Sequence, residues 1–124
     1  MDLVGTCPKD FFLEWIAEGD AAGDPETGQE WAWGTSSAMA ARIQPGDRFY
    51  VVSHGRLRGY APVVRVESFS WRDSANAKRR SFSIIRKGGA VACTIDESIP
   101  GFRGLRERWW AREEEDPFPN WRTP

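Results

Sequence analysis

The chain has 124 residues, a net charge of −1 and two cysteines, which suits one domain around a single core and excludes a disulfide-stapled scaffold. Its apolar runs are far short of the roughly 20 residues that cross a bilayer, and no basic-then-apolar export signal opens it, so the sequence predicts a reducing, cytoplasmic setting without a membrane partner. The charge is segregated: residues 1–30 carry eight acids against Lys9 alone (−7), residues 42–87 carry eleven bases against three acids (+8), and residues 88–124 come to −2.

Asp2 to Gly5 reads as a short first strand, and Pro8 suits the first turn of a helix running to Glu18, with Gly19 as its stop. Phe11, Phe12, Trp15 and Ile16 fall on one side of that helix, which makes Trp15 a core residue. Residues 19–30 mix turn formers with acids and lack an apolar period, predicting a mobile acidic loop. Trp31-Ala32-Trp33 follows; if this segment is extended, both indoles point the same way. The small, alanine-rich run from Thr35 to Arg42 predicts a short helix capped by Thr35 or Ser36, ending at the turn Gln44 to Asp47.

Residues 48–53 and 56–67 are β-rich runs joined at His54-Gly55, the strongest hairpin signal in the chain. Pro62 inside the second run argues for an edge or a bulge, and residues 69–71 prolong that strand before a polar loop from Arg72 to Arg80. A second hairpin is predicted from residues 81–86 and 90–95 around Lys87-Gly88-Gly89. Residues 105–110 read as a strand whose adjacent Trp109 and Trp110 face opposite sides, one of them the core. Residues 111–124 form an irregular tail, pinned to the body by Phe118 and Trp121.

The chain lacks a phosphate-binding loop, a dinucleotide fingerprint, a paired-histidine motif and a Cys-x-x-Cys pair, and it offers no cofactor or metal signature. His54 is the one side chain with an ordinary pKa near neutrality, but a hairpin tip before glycine is a turn position rather than a catalytic one. The acids Glu113 to Asp116 read as a solvated edge. Seven tryptophans in so short a chain exceed what one small core needs, so some are expected at a recognition surface.

The order strand, helix, acidic loop, tryptophan segment, short helix, then Gly46-Asp47-Arg48-Phe49-Tyr50-Val51-Val52 and a hairpin returning through Arg58-Gly59-Tyr60-Ala61 resembles the PUA-like superfamily, with its EVE, YTH and ASCH branches. That resemblance covers roughly residues 1–97. It implies an α+β fold with a small twisted β-barrel of hairpins and flanking helices, and a pocket for a modified base in which Trp31 or Trp33 is one wall and Trp71 a second. The Gly-x-Lys-x-x-Glu-x-Arg signature of the ASCH branch is absent, which sets its enzymatic activities aside.

The leading functional expectation is therefore a nucleic-acid-binding module, for RNA or DNA with normal or modified bases. Trp31, Trp33 and Trp71 would stack on a flipped or single-stranded base, with Thr35 or Ser36 at its edge. Arg42, Arg56, Arg58, Lys78, Arg79 and Arg80 would hold phosphates. A second expectation is an enzyme on the same fold, acting on a nucleotide, RNA or small amide through Lys9, Glu14 or His54. A third is a protein-interaction domain using exposed tryptophans and the tail.

Overall fold

Residues 56–72 stay extended throughout, longer than the sequence predicts, in the computed structural model, which describes residues 1–124. This strand, β4, pairs first with β3 (Arg48–Ser53) and then with β5 (Lys78–Lys87). The changeover falls at Pro62 and Val63: the β3 ladder ends on Arg48 opposite Pro62, and a bulge between Val63 and Arg65 begins the β5 ladder. A residue without an amide hydrogen thus sits where β4 exchanges one neighbour for the other, as its chemistry requires. At the other end of β3, His54 (φ 51°) and Gly55 (φ 73°) are both left-handed, the backbone of a two-residue hairpin turn matched to strand twist.

Around this pair the sheet is mixed. The first strand, β1 (Leu3–Thr6), lies parallel to β3 and antiparallel to a three-residue strand at Leu105–Glu107, while β2 (Glu30–Thr35) lies antiparallel on the far side of β5. The hydrogen-bonded path is β2-β5-β4-β3-β1 and then residues 105–107, with no ladder joining its ends. The chain is thus mixed α and β, mostly strands with one α-helix, and the predicted closed barrel is corrected to an open sheet.

Alternation along β3 explains the core. Phe49 and Val51 join Leu3, Phe12, Trp15 and Ile84 on one face, while Tyr50 and Val52 join Val4, Leu57, Cys93 and Trp110 on the other. With both faces covered, residues 49–52 of β3, Phe-Tyr-Val-Val, are all buried. The one α-helix, α1 (Phe12–Ala22), buries Phe12, Trp15, Ile16 and Gly19 against the first face. It begins after a single 3-10 turn at Lys9–Phe11, and it passes Gly19 to stop at Gly23 (φ 86°), four residues beyond the predicted end. Gly19 is a packing residue rather than a stop.

Five further expectations are corrected. The predicted second hairpin does not form: β5 runs on through Gly88-Gly89 into a two-residue strand, β6 (Val91–Ala92), which pairs with β4 and not with β5. A Cβ at Gly88 (φ 68°) would lie 2.2 Å from the Asp24 carbonyl oxygen, so glycine here serves close approach rather than reversal. The polar loop shrinks to residues 73–77, where the Asp73 carboxylate accepts the Ala75 and Ala77 amides and Asn76 is left-handed; the flanking residues are strand. The acidic loop, now 23–29, is tied down: Gly89 donates to Gly23 O, and Gly88 donates to Gln29 O at 2.9 Å. The predicted helix at 35–42 is a 3-10 turn at Ala38–Arg42 capped by Ser37, since Thr35 completes β2. The last strand covers Leu105–Glu107 only, with Trp110 buried and Trp109 exposed beyond it. Phe118 is buried in the tail and Trp121 packs on the first cluster, as the sequence predicts. Both thiols are free and buried. No helix is long and apolar enough to cross a membrane.

Candidate functional site: a two-lobed aromatic cleft

Strand β2 is an edge, and its alternate residues Trp31, Trp33 and Thr35 face the body of the protein opposite Arg86, Ile84 and Phe82 of β5. Because α1 crosses this edge, a cleft opens between helix and strand, with Trp31 as its partition. The Trp31 indole N–H donates to the Gly88 carbonyl at 2.7 Å, which fixes the ring against the bend that follows β5.

On one side of Trp31 lies a lobe of about 340 Å³ walled by Trp15, Trp31 and Trp121 and floored by Gly19 and Gly89. Trp15 and Trp121 meet edge-on, 6.0 Å between ring centroids. At its rim the Arg122 guanidinium is bidentate to Asp20, both distances 2.7 Å. On the other side lies a lobe of about 320 Å³ reached past Phe11 and Glu18 and walled by Trp15, Trp31 and Trp33, with Cys7 and Arg86 deeper in. Both volumes fall within the roughly 300–1,000 Å³ of small-ligand sites.

Arg86 sets the electrostatics of the second lobe. It is 1 % exposed, and its guanidinium carbon sits 4.0 Å from the Trp31 ring centroid. Its Nε has no hydrogen-bond partner, and no carboxylate forms an ion pair with it. Burial pulls its pKa down to about 10, against a smaller upward pull from Glu18, so it stays charged at neutral pH. An unpaired buried charge costs several kcal/mol, and stacking on an indole offsets about 0.5–2 kcal/mol of that. Burial pushes the Cys7 thiol up to about 11, which leaves it protonated and unreactive.

The predicted site residues divide sharply. Trp31 and Trp33 converge on the cleft. Thr35 lies further along the same row and caps the Ser37 amide, while Ser36 is exposed beyond the strand. Trp71 does not join them: it pairs with Arg79, five residues along β5 from Ile84 opposite Trp33, about 17 Å at strand rise. It is 50 % exposed, and its N–H donates to Ser81.

Among the predicted phosphate ligands, Lys78, Arg79 and Arg80 are exposed on the arm formed by the outer halves of β4 and β5, with Arg79 paired to Asp73 at 2.9 Å. Arg42 is exposed on the 3-10 turn. Arg56 lies at the opposite end of β4, its guanidinium 4.3 Å from the Phe118 ring centroid. Arg58 differs from these exposed cations. It is 2 % exposed; its Nε donates to the Ser53 carbonyl at the end of β3, and its Nη1 donates to the carbonyls of Trp121 and Thr123 in the tail.

Lys9, Glu14 and His54 are joined by no hydrogen bond or ion pair; His54 packs edge-on against Phe12, ring centroids 5.0 Å apart. Glu115 is also no solvated edge, since it accepts from Tyr50 Oη at 2.5 Å and from the Trp110 indole at 2.9 Å. No group of histidines, cysteines and acids has metal-site geometry.

Sequence reasoning missed two residues here. Trp121 was read only as a pin for the tail, and nothing local signals that it reaches α1. Arg86 did carry a signal: at even spacing from Phe82 and Ile84 it belongs to the inward row, where an arginine needs a partner. No protein-family model, curated protein or solved structure matches this chain.

Proposed function

We propose that the protein is a nucleic-acid-binding module that stacks a base in the α1–β2 cleft and tracks the adjoining phosphates with the β4–β5 arm. One observation carries the reading. Beyond Phe82 the inward row of β5 continues as Arg80 and Lys78, with Arg72 of β4 opposite Lys78, so three exposed cations lie on the same sheet face as Trp31 and Trp33. Cations in a row leading to flat rings are what a single strand needs: phosphate contacts give affinity, and stacking adds about 1–3 kcal/mol per base without demanding a sequence. The other face of the arm carries Phe69 and Trp71, both about half exposed. Kinship with the PUA-like superfamily is part of the proposal; the element order supports it, and the open sheet departs from it.

The test is titration of short single-stranded RNA and DNA, with normal or methylated bases, across a range of salt. Replacing Arg72, Lys78 and Arg80 together with alanine should leave thermal stability nearly unchanged and flatten the slope of log affinity against log salt by about two, at roughly 0.7 per phosphate for single strands. An unchanged slope would remove the arm from the footprint.

A further inference from the structure

The cleft's second lobe holds a charge that the protein itself leaves unanswered. Arg86 is 1 % exposed, its Nε has no partner, and it faces a lobe of about 320 Å³. Buried polar groups in native proteins nearly always have partners, and an orphan commonly marks the place of a water, an ion or a ligand group. The guanidinium carbon lies over the Trp31 ring, 4.0 Å from its centroid, and the Nε–H donor beside it is left without an acceptor. The planar fork of donors on a guanidinium matches two oxygens of a single oxyanion.

We propose that Arg86 is an anion-binding residue of the second lobe, and that the group it receives is the phosphate monoester of a nucleotide whose base lies against the cleft's tryptophans. The inference rests on the reading of the cleft as a nucleotide site and deepens it, because an internal base of a strand needs no dedicated buried cation, whereas a terminal phosphate does. The phosphate of a free mononucleotide and that of a 5′-phosphorylated strand end share this chemistry. Glu18, at the mouth of the same lobe, is the one carboxylate lining it. It opposes an incoming anion and so sets a sign for a control.

The experiment follows the Nε–Hε resonance of Arg86, assigned by its loss in Arg86→Met, together with tryptophan fluorescence. The probes are inorganic phosphate, the four nucleoside 5′-monophosphates, the matching nucleosides, and short strands with and without a 5′-phosphate. Monophosphates should bind about ten- to a hundredfold more tightly than nucleosides, the worth of a charge-assisted contact. In Arg86→Met monophosphates should bind no more tightly than nucleosides do, and Glu18→Gln should increase the advantage. If the phosphorylated strand alone shows the advantage, the source is a strand end; if monophosphates show it equally, a free nucleotide suffices.

Equal binding of nucleoside and monophosphate would overturn the role of Arg86 and leave base stacking standing. An Arg86 resonance that moves with inorganic phosphate while no nucleoside, monophosphate or strand binds would overturn the nucleotide assignment, though not the anion site. A resonance unmoved by any probe would overturn both. Should Arg86→Met fail to fold, the affinities of nucleoside and monophosphate in the parent and in Glu18→Gln still decide: an advantage that Glu18→Gln enlarges supports the site, and equal binding in both overturns it.

Discussion

Two arginines are buried in this protein, and their surroundings differ in the one respect that matters. At the tail, Arg58 is 2 % exposed and lies near the rings of Phe12 and Phe118, with carbonyl oxygens of Ser53, Trp121 and Thr123 as acceptors. In the cleft, Arg86 is equally buried and likewise stacked on an aromatic ring, yet its Nε is unanswered. Burial pulls the pKa of both downward. The first is satisfied within the fold and the second is not, so the same residue type is structural in one place and a receptor in the other.

The largest effect should come from setting the two against each other. Arg58→Met strands three carbonyls and releases the tail, and urea denaturation should show a loss of about 2–4 kcal/mol. Arg86→Met replaces an unpaired charge with an apolar chain of similar length, and the same measurement should show no loss or a gain of about 1–2 kcal/mol. Equal losses would mean that Arg86 has protein partners in solution, and the contrast would collapse.

A smaller effect sharpens the link between tail and cleft. Trp121 is a wall of the first lobe, and Arg58 accounts for the hydrogen bond to its carbonyl. Trp121→Ala should leave a folded protein and weaken binding of a short single strand by about 1–3 kcal/mol. Full affinity in that variant would confine stacking to the second lobe.

The buried thiols add a pH dependence. Burial raises Cys7 to about 11 and Cys93 to about 12, from 9.0. The folded protein therefore holds these protons more tightly than the unfolded chain does. Their stabilisation is complete below pH 9 and is lost as pH climbs through 11 and 12. Chemical denaturation from pH 8 to 11 should show stability falling less steeply in Cys7→Ala than in the parent, and parallel curves would mean that the cleft admits water to the thiol.

At the small end stands Trp71→Ala, which removes a half-exposed ring from the arm. Its cost in thermal melting should stay within about 0.5 kcal/mol. A larger loss would show the arm packing against something in solution.

How much of this was legible in the sequence depends on which physical rule applied locally. The β3–β4 hairpin was readable because His54-Gly55 separates two β-rich runs, and Trp15 because its helix places apolar residues on one face. The outer arm was not, since its residues 78–81 are Lys, Arg, Arg and Ser with no apolar alternation, and only the turn chemistry of Asp73 and Asn76 marks the reversal. Gly88-Gly89 misled for a definite reason: glycine serves tight turns and close approach equally well, and the partner that decides, the Asp24 carbonyl, is 64 residues away. The cleft was half readable. Trp31 and Trp33 share a face by alternation, but Trp121 arrives through the fold, and Trp71 is excluded by distance along a strand longer than its composition suggested.

The placement of β1 has a kinetic consequence. Residues 3–6 precede both of their partners in the chain: they pair with residues 49–52 on one side and with 105–107 on the other. A parallel neighbour and a C-terminal neighbour both close long loops, the slow step for chains rich in distant contacts. During synthesis the β3–β4–β5 meander precedes the second partner of β1, which is complete only when residues 105–107 have appeared. Pulse-labelled hydrogen exchange during refolding should find amides of residues 51–61 protected early, with those of residues 3–6 and 105–107 following together; simultaneous protection of all three would show that the sheet forms in one step.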